Sequence, residues 1–337
     1  MSVCYLRRFE RHPALASRNQ AALNGLISIC IPTYNRPELL REALESCAVQ
    51  NYEQLELVVG DDSDDGASAR VVEAFAGRRS WHVSYVRNVP ALGQNANVAS
   101  LFARANGDRI LLLHDDDRLL PGGVAALAAP WVAHPDLAIA FGRVQKISHD
   151  GIPTGREGKA PGTAGPIESP MKAALLLQIP SDGYLVSTAR ARETGYRSDA
   201  EVGVYCDKDF SLRLGAALAA NQMYFVDAPV SQYRITDGAI SQSAASRKFD
   251  HARSAIAVYE MLDALGVPAS LAAEKEFLVD HLIDKLVKGY ATGGRRAKAL
   301  SLYRSRTYGW KRRLSPRGIY HSALILEPRI DRLRLYS

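Results

Sequence analysis

Aspartates crowd two short stretches of this 337-residue sequence, DDSDDG at Asp61–Gly66 and HDDDRLLP at His114–Pro121. Carboxylates gathered at two separate places repel one another unless something positive sits between them. A divalent cation with a diphosphate is the economical answer. A magnesium-type ion is held by one or two carboxylates and fills its other positions with water and phosphate oxygens, which suits Asp115, Asp116 and Asp117. The blander alternative for the same three residues is that they end a strand and cap a helix beginning near Pro121.

Both clusters follow apolar runs that read as strands. The candidates are 26–32, 55–60, 81–87, 109–114 and 137–144, separated by segments with helical spacing such as Leu39, Leu40, Ala43, Leu44 and Cys47. This alternation predicts an α/β domain with a largely parallel sheet. In such sheets ligands bind beyond the carboxyl ends of the strands, where PTYNR (Pro32–Arg36) and both aspartate clusters fall. The segment from Ser148 to Pro170, rich in Gly, Pro and Thr, reads as a loop long enough to be functional or mobile rather than a simple connection. Asn95 and Asn97 read as caps of the helix that follows them.

Taken together, SICIPTYNRPELLREALES, VVGDDSDDG, NVPALGQNANVASLFARANGDRILLLHDDDRLLP, CDKDFSLRL and YRITDGAISQS resemble the family-2 glycosyltransferases over about Leu26 to Ser243. The resemblance implies the GT-A nucleotide-diphospho-sugar transferase fold: a central, mixed but mostly parallel sheet flanked by helices. It implies inverting transfer of a sugar to an acceptor hydroxyl, with Asp62 on the donor base, Asp61 beside it, and Pro32, Thr33 and Tyr34 near the nucleotide. The family's D-x-D-type motif falls on HDDD, where counting back from Pro121 makes Asp116 the metal ligand for Mn2+ or Mg2+. Asp115 would then meet the ribose or a metal-bound water, and Asp117 would stand behind. His114 replaces the usual first acid.

The family's general base falls on Asp207. Its rival Asp209, two residues along a helix, faces about 200° away. Acids also favour helix N-termini without any catalytic role. Tyr233 and Arg234 match a family element read Y-R-x-H, with Thr236 in the place of the histidine, and Asp182 falls where the family lines the acceptor side. The implied partners are a nucleotide-diphosphate sugar, a UDP-sugar foremost, and a saccharide or lipid-linked acceptor of bacterial surface polysaccharide or glycoconjugate synthesis. A sugar nucleotidyltransferase would need a Gly-rich basic loop where PTYNR stands. The alternative function is an inactive nucleotide-sugar-binding subunit of a polysaccharide assembly.

Composition adds the outer limits. Four scattered cysteines carry no metal-site spacing and read as reduced thiols. The N-terminus carries no apolar run of the length a signal peptide needs and no later segment approaches a bilayer span, so the expected location is cytoplasmic. Charge divides the chain: from Ala244 onward there are 18 Lys and Arg against 9 Asp and Glu, and before it 24 against 27. The expected organisation is an N-terminal extension (1–25), a catalytic domain (26–243) and a basic helical C-terminal region (244–337). No nucleic-acid motif accompanies the charge. Beyond Arg295 the basic residues interleave with Leu300, Leu302, Tyr303, Tyr308, Trp310, Leu314, Ile319 and Tyr320. Two readings stand for that pattern: an interfacial segment on the anionic inner face of the cytoplasmic membrane, or packing on the catalytic domain with a solvated charged face.

Overall fold

The computed structural model describes residues 25–78, 81–177, 179, 182–235 and 247–328, with the side chains of 247–250 excepted. The expected N-terminal extension up to residue 24, the boundary between 243 and 244, and Thr236 lie outside the described residues. The strands are β1 (Ile27–Thr33), β2 (Leu55–Asp61), β3 (His82–Arg87), β4 (Arg109–Leu112), β5 (Arg118–Leu119), β6 (Ile139–Ile147), β7 (Pro153–Glu157), β8 (Gly165–Ile167), β9 (Tyr184–Ser187) and β10 (Met223–Arg234). The helices that concern the site are α1 (Pro37–Ala48), α2 (Ala67–Ala76), α3 (Gln94–Arg104), α4 (Gly123–Ala128), α5 (Pro170–Leu176), α6 (Thr188–Thr194) and α7 (Cys206–Ala217). The C-terminal helices are α8 (Arg247–Ala264), α9 (Ala272–Thr292), α10 (Arg296–Arg304), α11 (Trp310–Arg313) and α12 (Pro316–Leu326).

One sheet runs through the molecule in the order β3-β2-β1-β4-β9-β6-β10-β5, with β7 added to β6 and β8 to β10. β3, β2, β1 and β4 are parallel neighbours, as are β6 and β10, while β9 runs antiparallel to both β4 and β6. Every residue of β1 and β2 is buried, the expected state of parallel strands covered on both faces and the reason their apolar runs are nearly unbroken. Alternate side chains serve opposite layers. Ile27, Ile29, Ile31, Leu57 and Val59 pack with Leu40 and Leu44 of α1 and Val72 and Phe75 of α2. Cys30 and Val58 face Val98, Leu101 and Phe102 of α3.

Two local expectations change. The 148–170 segment is not a simple loop, since β7 and β8 lie within it and pair with β6 and β10. Asn95 and Asn97 sit inside α3 rather than capping it. Asn97 Nδ2 donates to the Gly60 carbonyl at 2.9 Å, and Asn95 Nδ2 to the Arg197 carbonyl at 3.0 Å, so both tie the helix to its neighbours. A Cβ on Gly60 would fall 2.1 Å from Asn97 Oδ1, which explains glycine at this point of a buried strand.

The C-terminal helices are part of the molecule's core. Leu282, Ile283, Leu286, Val287 and Tyr290 of α9, Leu302 of α10, and Tyr320, Leu324 and Ile325 of α12 share one apolar cluster with Met171 and Leu175 of α5 and Leu212 of α7. Leu212 is wholly buried there, and its truncation to alanine would cost about 2–5 kcal/mol. Of the tail's interleaved apolar residues, Leu302, Tyr308 and Tyr320 therefore point inward, whereas Trp310, Leu314 and Ile319 remain 64%, 72% and 60% exposed. Among the described residues no helix is long and apolar enough to cross a membrane.

Candidate active site

Sheet register explains why residues far apart in sequence meet. Thr33 lies opposite Asp61, and Cys30 opposite Leu112, so three steps further along both β1 and β4 Thr33 comes level with Asp115. The Thr33 hydroxyl accordingly donates to Asp115 Oδ2 at 2.7 Å, and the Tyr34 amide approaches the same oxygen at 3.4 Å. Pro32 is buried in β1 opposite Gly60, whereas Tyr34 turns outward with 51% exposure. Asn35 adopts a left-handed φ of 54° and latches the two neighbouring strand ends together. Its amide donates to Ser63 Oγ at 2.8 Å and its side chain exchanges hydrogen bonds with Asp64 at 2.7 and 3.0 Å.

The two aspartates after β2 are fixed by their surroundings. Asp61 accepts from the Ser63 amide at 2.8 Å and the Tyr85 hydroxyl at 2.6 Å. Asp62 accepts from Asn88 Nδ2 (2.8 Å) and from the amides of Leu92 (3.1 Å) and Gly93 (3.0 Å), which folds the 88–93 segment over the end of β2.

At the end of β4 the carboxylates differ in exposure and partners. Asp115 is fully buried, and burial raises its pKa to about 6 against the opposing pull of Arg36. Asp116 keeps 14% of its side chain accessible. Asp117, behind them, accepts from the Arg234 amide at 2.7 Å. Continuing the β4–β9 register places position 182 opposite 114, and Asp182 sits there with 1% exposure. Burial, then repulsion from Asp182, raises the pKa of Asp117 well above the carboxylate range. Burial likewise raises that of Asp182 to about 6, opposed by His114.

Arg36, Glu42 and Arg118, which were not singled out from the sequence, hold this cluster together with Arg234, which was. Arg36, from the turn after β1, lies across Asp115 and Asp116 with three contacts of 2.5–3.2 Å. Arg234 is a clamp: its Nε donates to the Asp116 carbonyl at 2.8 Å, Nη1 to the His149 carbonyl at 2.7 Å, and Nη2 to Glu42 of α1 at 2.5 Å. Glu42 also receives Arg118 at 3.0 Å. Tyr233 lies beside Lys146 in the β10–β6 register. The need for positive charge between the clusters was legible in the sequence, and an arginine within PTYNR is one way to supply it.

The first turn of α7 separates its two aspartates as the helical angle requires. Asp209 is fully buried and tied to Arg197 Nη1 at 3.2 Å and to Arg213 Nε at 2.8 Å and Nη2 at 2.7 Å. Asp207 is only partly buried and receives the Tyr196 hydroxyl on Oδ1 at 2.8 Å. Tyr196 stacks on Phe210 with ring centroids 4.9 Å apart, which fixes that hydroxyl in place.

Among the described residues no group of three His, Cys, Asp or Glu side chains is arranged to cage a metal ion. The donor set fits a hard divalent cation only in the sparse manner of magnesium: Asp116 as a carboxylate ligand at the site's mouth, with the other positions left to water and phosphate oxygens.

Residues 28–177 match the family model described as glycosyl transferase family 2. A GalNAc(5)-diNAcBac-PP-undecaprenol beta-1,3-glucosyltransferase of Campylobacter jejuni is 31% identical over 102 residues, 30% of this chain and 33% of that protein. The structure of S. aureus TarS 1–349 in complex with UDP-GlcNAc superposes with a TM-score of 0.58 at 16% identity, covering 85% of this chain and 91% of that one. The mannosyltransferase PcManGT from Pyrobaculum calidifontis, in complex with GDP-Man and Mn2+, gives 0.52 at 14% identity, covering 96% and 91%. These structures identify the fold as GT-A. The chain spans about a third of the length of the curated relatives it matches.

Proposed function

We propose that this chain, whose residues 28–177 match the glycosyl transferase family 2 model, moves a sugar from a nucleotide-diphosphate donor to an acceptor hydroxyl with inversion. The observation that carries this reading is the convergence of the β1, β2 and β4 ends. They bring Thr33, Asp62, Asp115 and Asp116 to one edge of the sheet, at the carboxyl ends where α/β folds bind nucleotides. Asp62, Tyr34 and Pro32 line the nucleoside side, and Asp115 and Asp116 serve the diphosphate. A divalent cation held by Asp116 would compensate the charge that develops on the leaving diphosphate.

Asp207 is the group we assign to deprotonate the acceptor. A general base needs a carboxylate oxygen able to reach a proton, and Asp207 keeps Oδ2 outside its hydrogen bond with Tyr196. Asp209 holds two arginines and has no such freedom. Asp117, Asp182 and Arg234 support the cluster from behind, with Asp182 nearest the acceptor side.

A lipid-linked acceptor is in keeping with the undecaprenol-linked saccharide for which the Campylobacter relative is named. It also suits the outward-facing Trp310, Leu314 and Ile319, which stand among exposed Arg304, Arg306, Lys311 and Arg317. Exposed apolar side chains interspersed in sequence with cations match an anionic lipid surface.

A panel of UDP-, dTDP- and GDP-sugars with Mn2+ or Mg2+, scored by donor hydrolysis and thermal shift, tests the reading. One donor class should stabilise the protein and turn over, and chelator should cancel both effects. Binding without any turnover would favour the inactive-subunit alternative, and no shift with any donor would overturn both.

A further inference from the structure

The carboxylates after β4 already possess a cation. Arg36 reaches Asp115 Oδ2 through Nε at 3.2 Å and Asp115 Oδ1 through Nη2 at 2.5 Å, and Asp116 Oδ2 through Nη1 at 2.6 Å. The guanidinium is always charged, so these are contacts between a cation and two carboxylates. The Arg36 side chain is 33% exposed, so it is not locked in a packed core and has open solvent on one side. Any divalent ion arriving at Asp116 finds a positive group on that carboxylate. It must either share the oxygens with a like charge or displace Arg36 from both aspartates at once.

We propose that Arg36 is a resident counter-ion that competes with the divalent cation for Asp115 and Asp116. In this arrangement the donor's diphosphate relieves the competition by offering the guanidinium another anion. Cation and donor then bind interdependently, and because such coupling is reciprocal, each strengthens the other by the same factor. A site built this way stays neutralised between turnovers and holds metal poorly until a diphosphate is present. Arginine suits the role better than lysine, because its planar fork can grip one carboxylate bidentately while touching a second. The proposal rests on the reading of this edge as a cation-assisted donor site.

The test is Mn2+ binding to the full chain without donor, followed by calorimetry or by electron paramagnetic resonance of the free ion. It is applied to the wild type, Arg36→Gln and Arg36→Lys, each checked for native melting. Arg36→Gln should bind Mn2+ about tenfold more tightly than the wild type, because the competing charge is gone, and Arg36→Lys should stay close to the wild type. Adding Asp116→Asn to Arg36→Gln should erase the gain. In chelator, Arg36→Gln should bind UDP more weakly than the wild type. Equal or weaker Mn2+ binding by Arg36→Gln overturns the proposal. If donor hydrolysis by the wild type nevertheless requires metal, the failure belongs to the role of Arg36 alone. If hydrolysis is undiminished by chelator, the cation-assisted reading falls with it.

Discussion

Asp207 and Asp209 stand two residues apart on α7, and exchanging each for asparagine should damage different properties. Asp209 has no exposed surface and meets Arg197 and Arg213 through three contacts of 2.7–3.2 Å. Removing one partner of a fully buried ion pair costs about 3–5 kcal/mol. Here the side chains of Arg197 and Arg213 keep 34% and 19% of their exposure, and the amide retains an acceptor oxygen. Discounting for that solvent contact leaves about 2 kcal/mol. With an unfolding entropy of about 0.7 kcal/mol/K for a chain of 337 residues, about 1.4 °C per kcal/mol, Asp209→Asn should melt about 3 °C lower. Asp207 has one hydrogen bond, from Tyr196, that an asparagine oxygen can still accept. Asp207→Asn should melt as the wild type does, bind donor normally and turn over about 100-fold more slowly. Differential scanning fluorimetry and initial rates at saturating donor on the same preparations separate the two effects. A stable but inactive Asp209→Asn beside an active Asp207→Asn would refute the assignment.

Other expectations follow from the same geometry. Asp116→Asn should abolish transfer and greatly weaken metal-dependent donor binding by calorimetry, while chelator should reproduce the loss in the wild type. Asp115 and Asp182 titrate near 6 in the folded protein instead of the ordinary 3.8, so the native chain binds more protons than the unfolded one between these values. Their contribution to the stability of the metal-free protein should therefore fall as pH rises from about 4 to 6 and level off above, and urea titrations across that range of Asp182→Asn against the wild type would measure it. Asp182→Asn should be the more stable of the two at pH 7, by about 1–2 kcal/mol, through loss of a buried charge that faces Asp117. Trp310→Ser with Leu314→Ser should abolish sedimentation with anionic vesicles at low salt and leave the melting temperature unchanged, because both side chains are exposed. Undiminished sedimentation would assign any membrane affinity to charge alone.

The sequence was most legible where chemistry and periodicity coincide. Apolar runs ending in PTYNR or in aspartates located β1, β2 and β4 within a residue or two, and the 200° separation on α7 correctly put Asp207 and Asp209 in different environments. It was least legible where pairing, not composition, makes the structure. β7 is exposed throughout and lacks alternation, so only its bonds to β6 make it a strand. Asn95 and Asn97 have the residue type of caps, yet partners on β2 and at Arg197 decide their role. Likewise, the basic and aromatic pattern of the tail was visible, but which of its apolar residues face inward depends on α5 and α7, which no local window contains. Arg36 was in view within PTYNR, but its partners lie some 80 positions away and emerge only when β1 is laid beside β4.

The shared core beneath α7 has a consequence for synthesis on the ribosome. Thr33, Asp62, Asp115 and Asp116 all precede residue 120, and the parallel strands that carry them, β1, β2 and β4, can pair as soon as that part of the chain emerges. The helix that carries Asp207 comes later, and its inner residue Leu212 is covered by side chains reaching from Ala255 to Ile325. Translation thus delivers the aspartate-lined edge first, and a seated Asp207 only after about two hundred further residues have been made. A chain arrested in that interval would display the aspartate-lined edge while lacking the mount for Asp207. Pulse-labelled or stalled products of this protein should then acquire protease resistance in two steps, the early one at the sheet and the late one at α7 together with the C-terminal helices.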